Sequence, residues 1–124
     1  RAVVLSEPGP AENLIVQDWP LPPERDGWVR IRVEAFGLNR SELMTRLGLS
    51  GDAVTFPRVL GIECAGGSRR RSRWQWLEIS QQVVAMMGEM GRTYDGSYAD
   101  YTSVPLTQVI PMSTELPLFV GMPG

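Results

Sequence analysis

Eight consecutive residues, Trp28 to Ala35, alternate between two chemical characters, and that alternation ties the chain to a sheet-based fold. Val29, Ile31, Val33 and Ala35 fall on one side, with Trp28, Arg30, Arg32 and Glu34 on the other. This is the period of two that gives a strand one buried and one solvated face. A strand is therefore predicted over Gly27 to Ala35, with Val29, Ile31 and Val33 in the core. The preceding WPLPPERDG reads as a proline-rich surface connection ending in the turn pair Asp26-Gly27. Further short runs at Ala2 to Leu5, Asn13 to Asp18, Gln82 to Met87, Ser97 to Val104 and Thr107 to Ile110 are predicted strands. Ten prolines and thirteen glycines supply the turns that separate them. The predicted class is mainly β.

One helix interrupts the pattern, over Arg40 to Leu47. Asn39 is placed to cap its first turn, and Glu42, three residues on, to reach back to the cap amide. Gly48 supplies the stop. Leu43 and Leu47, four apart, are predicted to bury together against the sheet.

With 124 residues, 43% of them hydrophobic, the chain has material for one core. The net charge of -2 gives no global reason to bind nucleic acid or anionic lipid. Cys64 is the single cysteine, so an intrachain disulfide and a multi-thiolate zinc site are both excluded. No apolar run approaches the roughly 20 residues of a membrane span, and no secretory leader is visible. A cytoplasmic, reducing setting is expected, with no membrane partner. The chain opens on Arg1, so an initiator residue or more is expected to precede it.

Three stretches resemble one family: AFGLNRSELMTRLG (35 to 48), FPRVLGIECAG (56 to 66) and DGSYADYTSVP (95 to 105). They look like the N-terminal, GroES-like catalytic domain of medium-chain dehydrogenases/reductases, in the family's order and spacing. The resemblance implies a GroES-like, partly open β-barrel with one or two short helices. It covers residues 1–117, apart from an atypical basic segment at 67–76. Residues 118–124 read as a truncated tail.

Zinc-dependent members carry a pattern like G-[IV]-C-[RH]-[ST]-D, where this chain reads Gly37-Leu38-Asn39-Arg40-Ser41-Glu42. They also carry P-x-x-x-G-H-E, where it reads Pro57-Arg58-Val59-Leu60-Gly61-Ile62-Glu63. Asn39 and Ile62 thus stand where a thiolate and an imidazole would bind zinc, and neither is an adequate ligand. The lobe of the structural zinc has no counterpart between Met86 and Asp95. The resemblance therefore points to the zinc-independent quinone oxidoreductase branch, with no metal, NADPH as hydride source and a quinone or enone as substrate.

On that resemblance Asn39 lies near nicotinamide and substrate, Arg40 neutralises cofactor phosphate and Ser41 is the proton-relay candidate. Met86 and Met87 join Asn39 in a substrate pocket, and a homodimer is a possible full-length state. Each role has a structural alternative. Asn39 with Glu42 forms a capping box, Arg40 is a solvated surface residue, Ser41 is a first-turn residue, and Met86, Met87 and Met90 fill core. Glu63 matches a family glutamate or makes a strand-end ion pair. Cys64 reads as a small buried hydrophobe.

A hydride enzyme of this family needs a Rossmann domain with a glycine-rich turn, and none is present in these residues. Alone, the chain is expected to be inactive. In the segment at 67–76, Arg69, Arg70, Arg71 and Arg73 with Trp74 and Trp76 replace an expected apolar strand, while Leu77 to Val83 restores the family pattern. Two compensating frameshifts or a divergent surface loop explain this, with a weakened barrel expected around residues 67 to 78. A single-stranded nucleic-acid patch over Arg69 to Arg73 has the right residue types, but the acidic remainder of the chain argues against such a partner. The alternatives to an enzyme domain are a non-enzymatic binding or assembly module with the same barrel, or a decayed remnant.

Overall fold

The computed structural model describes residues 1–68 and 82–112. Eight strands form two antiparallel sheets: β1 (Ala2–Leu5), β2 (Leu14–Gln17), β3 (Trp28–Phe36), β4 (Arg58–Val59), β5 (Glu63–Ser68), β6 (Gln82–Met86), β7 (Tyr101–Pro105) and β8 (Val109–Pro111). The smaller sheet has the order β2-β1-β4 and the larger β7-β3-β5-β6-β8. The helix α1 (Arg40–Arg46) follows β3, and three single 3-10 turns punctuate the remainder. A backbone bridge between Ala2 and Ala99, with Val3 N–H donating to the Tyr98 carbonyl at 2.8 Å, closes the small sheet onto the large one. The larger sheet curls into a half-barrel.

The alternation in β3 is realised. Val29 and Ile31 are fully buried, and their neighbours Val104 on β7, Cys64 on β5, Val83 and Ala85 on β6 and Val109 on β8 complete one core. Burying each such aliphatic side chain stabilises the fold by about 1.5–3 kcal/mol. Val33 and Ala35 are only half-buried because the β3 to β5 register shifts between them, a bulge that turns the strand end outward. A second core forms around Leu5, Val4, Val59, Leu60 and Tyr98. The strands run close enough that a Cβ at Gly66 would collide with the Arg32 carbonyl oxygen, so only glycine fits there.

Several expectations need correction. Leu43 and Leu47 do not bury against the sheet; they are 44% and 50% exposed, and α1 turns Glu42 and Thr45 inward instead. The reason is polar: Tyr98 and Ser50 offer hydrogen-bond partners to Glu42 and Thr45 on the inner side. The strand predicted from Ser97 begins only at Tyr101, because Ser97 to Asp100 bend to bridge the two sheets. Strand β5, absent from the predicted strands, continues through Gly67 and Ser68, which pair with Arg32 and Ile31. Strand character therefore persists at least two residues into the segment where its loss was expected. The arginine and tryptophan cluster itself, and the tail after Met112, lie outside the described residues. Among the described residues no helix is long and apolar enough to cross a membrane.

Candidate active site

The site grows from one end of the large sheet. Phe36 ends β3 opposite Cys64, and Glu63 opens β5 opposite Met86 at the end of β6. The chain leaves β3 through Gly37 and Leu38 and enters α1 at Asn39, whose extended backbone (φ -125°, ψ 156°) makes it the N-cap. Three stretches distant in sequence are thereby brought to one place.

Asn39 does not cap with its side chain. Its Nδ2 instead donates to Oε1 of Glu63 at 3.2 Å. Glu63 is 7% exposed, and its backbone carbonyl accepts the Ser97 hydroxyl at 2.7 Å. Gly37 faces that carboxylate, and a Cβ there would collide with Oε1. The bare glycine leaves room for an acid to reach the asparagine.

Glu42 is the second buried acid, 5% exposed. The Tyr98 hydroxyl donates to its Oε1 at 3.1 Å, while Oε2 has no hydrogen-bond partner. Burial raises its pKa above the ordinary glutamate value. The backbone N–H of Glu42, the Tyr98 hydroxyl and the backbone and side-chain amides of Asn39 pull weakly the other way. The predicted capping box is therefore not formed: the Asn39 side chain turns to Glu63, and the Glu42 carboxylate takes its hydrogen bond from Tyr98. Tyr98 in turn stacks on Phe36 with ring centroids 4.7 Å apart, and its phenol pKa is raised by burial and by the Glu42 charge.

The other predicted site residues divide. Met86 is half-buried beside Glu63 in the sheet register. Met87 is 62% exposed with a positive φ of 65°, and its N–H donates to the Ile62 carbonyl at 2.6 Å. Arg40 is exposed on the first turn. Ser41 is half-buried, and its carbonyl accepts the Thr45 hydroxyl at 3.1 Å. Cys64 lies in the core, fully buried, with its thiol pKa pushed up to about 12 by desolvation. It is a packing residue. Ile62, half-buried, offers no donor atom, and among the described residues no three His, Cys, Asp or Glu side chains converge as a metal site.

Sequence reasoning missed Tyr98 and the inward turn of Glu42. Both depend on the fold bringing positions 42 and 98 together, and no local pattern announces that. It also missed Asp95, which accepts Trp19 Nε1 at 2.9 Å, Arg58 at 3.1 Å and the Val59 N–H at 3.1 Å. Asp95 ties the proline-rich connection to the small sheet. Beside it lies a cavity of about 490 Å³ walled by Trp19, Trp28, Tyr94 and the prolines of that connection. Asn39, Met86 and Met87 do not line it.

Comparison with known proteins agrees with this architecture. The sequence profile of the alcohol dehydrogenase GroES-like domain matches residues 25–114. The mouse synaptic vesicle membrane protein VAT-1 homolog-like is 41% identical over 66 residues, spanning 53% of this chain and 16% of that protein. The crystal structure of its human counterpart superposes with a TM-score of 0.81 at 29% identity, covering 95% of this chain and 37% of the other. A quinone oxidoreductase of Pseudomonas syringae superposes with a TM-score of 0.79 at 24% identity, covering 94% and 34%, and at that identity shares the fold. The chain spans well under half the length of each. It belongs to the alcohol dehydrogenase GroES-like domain family of the medium-chain dehydrogenases/reductases.

Proposed function

We propose that the chain is the substrate-side domain of a zinc-independent, NADPH-dependent reductase of quinones or enones, inactive without a nucleotide-binding domain. The observation that carries this reading is the chemistry at the two positions where zinc-dependent relatives place ligands. Asn39 is an amide whose nitrogen is engaged by Glu63, and Ile62 is an alkane. Neither donates to zinc.

The nicotinamide nucleotide, when bound, supplies the hydride. This domain's part is positioning: Asn39 orients the reacting groups, Arg40 lies within reach of phosphate, and Met86 and Met87 offer an apolar wall for a flat substrate. Ser41 is the proton-relay candidate. The exposed apolar residues Leu38 (81%), Leu43, Leu47 and Met87 around this end support a second domain covering it in the whole enzyme. A cytoplasmic setting and a dimeric whole enzyme go with this reading.

The test is NADPH oxidation with 1,4-benzoquinone, run with and without a chelator. The chain alone is compared with the same chain fused to a nucleotide-binding domain bearing a glycine-rich turn. The reading expects turnover only in the fusion, and equal rates with chelator. Turnover by the chain alone, or loss of the fusion's activity on chelation, contradicts it.

A further inference from the structure

We propose that Glu63 is a positioning residue that locks the Asn39 amide with its nitrogen inward and its oxygen outward, so that position 39 presents a hydrogen-bond acceptor to whatever binds there. Two observations carry this. Nδ2 of Asn39 lies 3.2 Å from Oε1 of Glu63. The Asn39 NH2 donates to this carboxyl oxygen, so the amide nitrogen is the end turned toward Glu63. Glu63 is itself held, being 7% exposed at the start of β5 and seated in the space left by the missing Cβ of Gly37. With Nδ2 engaged by Glu63, Oδ1 is the atom left to face outward from this half-buried side chain.

The consequence is specificity. An outward carbonyl oxygen pairs with a hydroxyl or an amide N–H and repels a carbonyl or carboxylate. Position 39 therefore suits the ribose hydroxyl or carboxamide N–H of a nicotinamide nucleoside, and does not suit the carbonyl oxygen of the acceptor substrate. That choice of ligand rests on the proposed reductase function; the orientation of the amide does not. A second consequence is that the proton donor for the reduced oxygen must come from elsewhere than Asn39.

The experiment is nitrogen-15 NMR of the Asn39 side-chain amide in the 124-residue chain and, before and after adding NADPH, in its fusion to a nucleotide-binding domain. It is run on the wild type, on Glu63→Met, which keeps the bulk but loses the acceptor, and on Glu63→Gln, which keeps an acceptor. The wild-type NH2 protons are expected to be resolved and slow to exchange. They should collapse toward free-amide shifts with at least tenfold faster exchange in Glu63→Met, and be largely restored in Glu63→Gln. Gly37→Ala, which displaces the carboxylate without removing it, should mimic Glu63→Met and stands in for it if that variant fails to fold. Unchanged Asn39 amide signals in folded Glu63→Met or Gly37→Ala overturn the lock. If the lock responds as expected but NADPH leaves the Asn39 signals unmoved in the fusion that binds it, the orientation stands and the nicotinamide assignment falls.

Discussion

Glu42 places a carboxyl where water is excluded and one oxygen goes unpartnered, so its protonated form is more favoured in the folded chain than in the unfolded one. A folded pKa above the unfolded value gives stability that is fully present below the ordinary glutamate pKa and is lost as pH rises through the folded value. Glu42→Gln keeps the shape and the acceptor for Tyr98 but cannot ionise. Its Tm relative to wild type should therefore rise as the pH is raised above the ordinary glutamate pKa. A flat difference would mean that Glu42 titrates as it does in the unfolded chain. Cys64 makes a parallel case, because a thiol with a pKa pushed up to about 12 and no solvent access is a poor nucleophile. Iodoacetamide at about pH 8 should label the native chain at least ~10-fold more slowly than the denatured chain. Equal rates would remove Cys64 from the core.

At the scale of elements, α1 inverts the usual arrangement of an amphipathic helix, holding polar Glu42 and Thr45 inward and leaving Leu43 and Leu47 exposed. Leu47→Ser should thus change stability by no more than about 0.5 kcal/mol. Ile31→Ala on β3, at a fully buried position, should cost about 2–5 kcal/mol. Denaturant titration of the two variants distinguishes this arrangement from the conventional one. Asp95→Ala removes the acceptor shared by Trp19, Arg58 and the Val59 N–H, and should cost about 1–3 kcal/mol while shifting Trp19 fluorescence. The contrast between β3 and α1 shows what was legible in the sequence. In β3 the period of two is a property of neighbouring residues, so Val29 and Ile31 could be placed from the string alone. In α1 the same logic picked the wrong face, because what decides it is Tyr98, 56 residues away from Glu42. The two-residue strand β4 carries no period at all, and the strand β5 is rich in small residues because it is sandwiched between β3 and β6. In the site, Asn39 was recognisable from its motif, whereas its bond to Glu63 required the fold.

At the scale of the molecule, two antiparallel sheets joined at Ala2 and Ala99 hold a rigid end at which Asn39, Glu63 and Met86 meet. The apolar residues Leu38 and Met87 are exposed in this chain, which under the proposed function is where a second domain would cover it. The fold is shared with the structures of an NAD-dependent alcohol dehydrogenase and a quinone oxidoreductase, so what distinguishes this chain rests on side chains. Neither the Asn39 amide nor the Ile62 alkane is an adequate zinc ligand, and the proposed reading is that no zinc binds at this end. Calorimetric titration of the chain with zinc at neutral pH tests this most directly. The account predicts no stoichiometric uptake. Binding of one zinc per chain at micromolar affinity or tighter, abolished by substitution of Asn39 or Glu63, would contradict it.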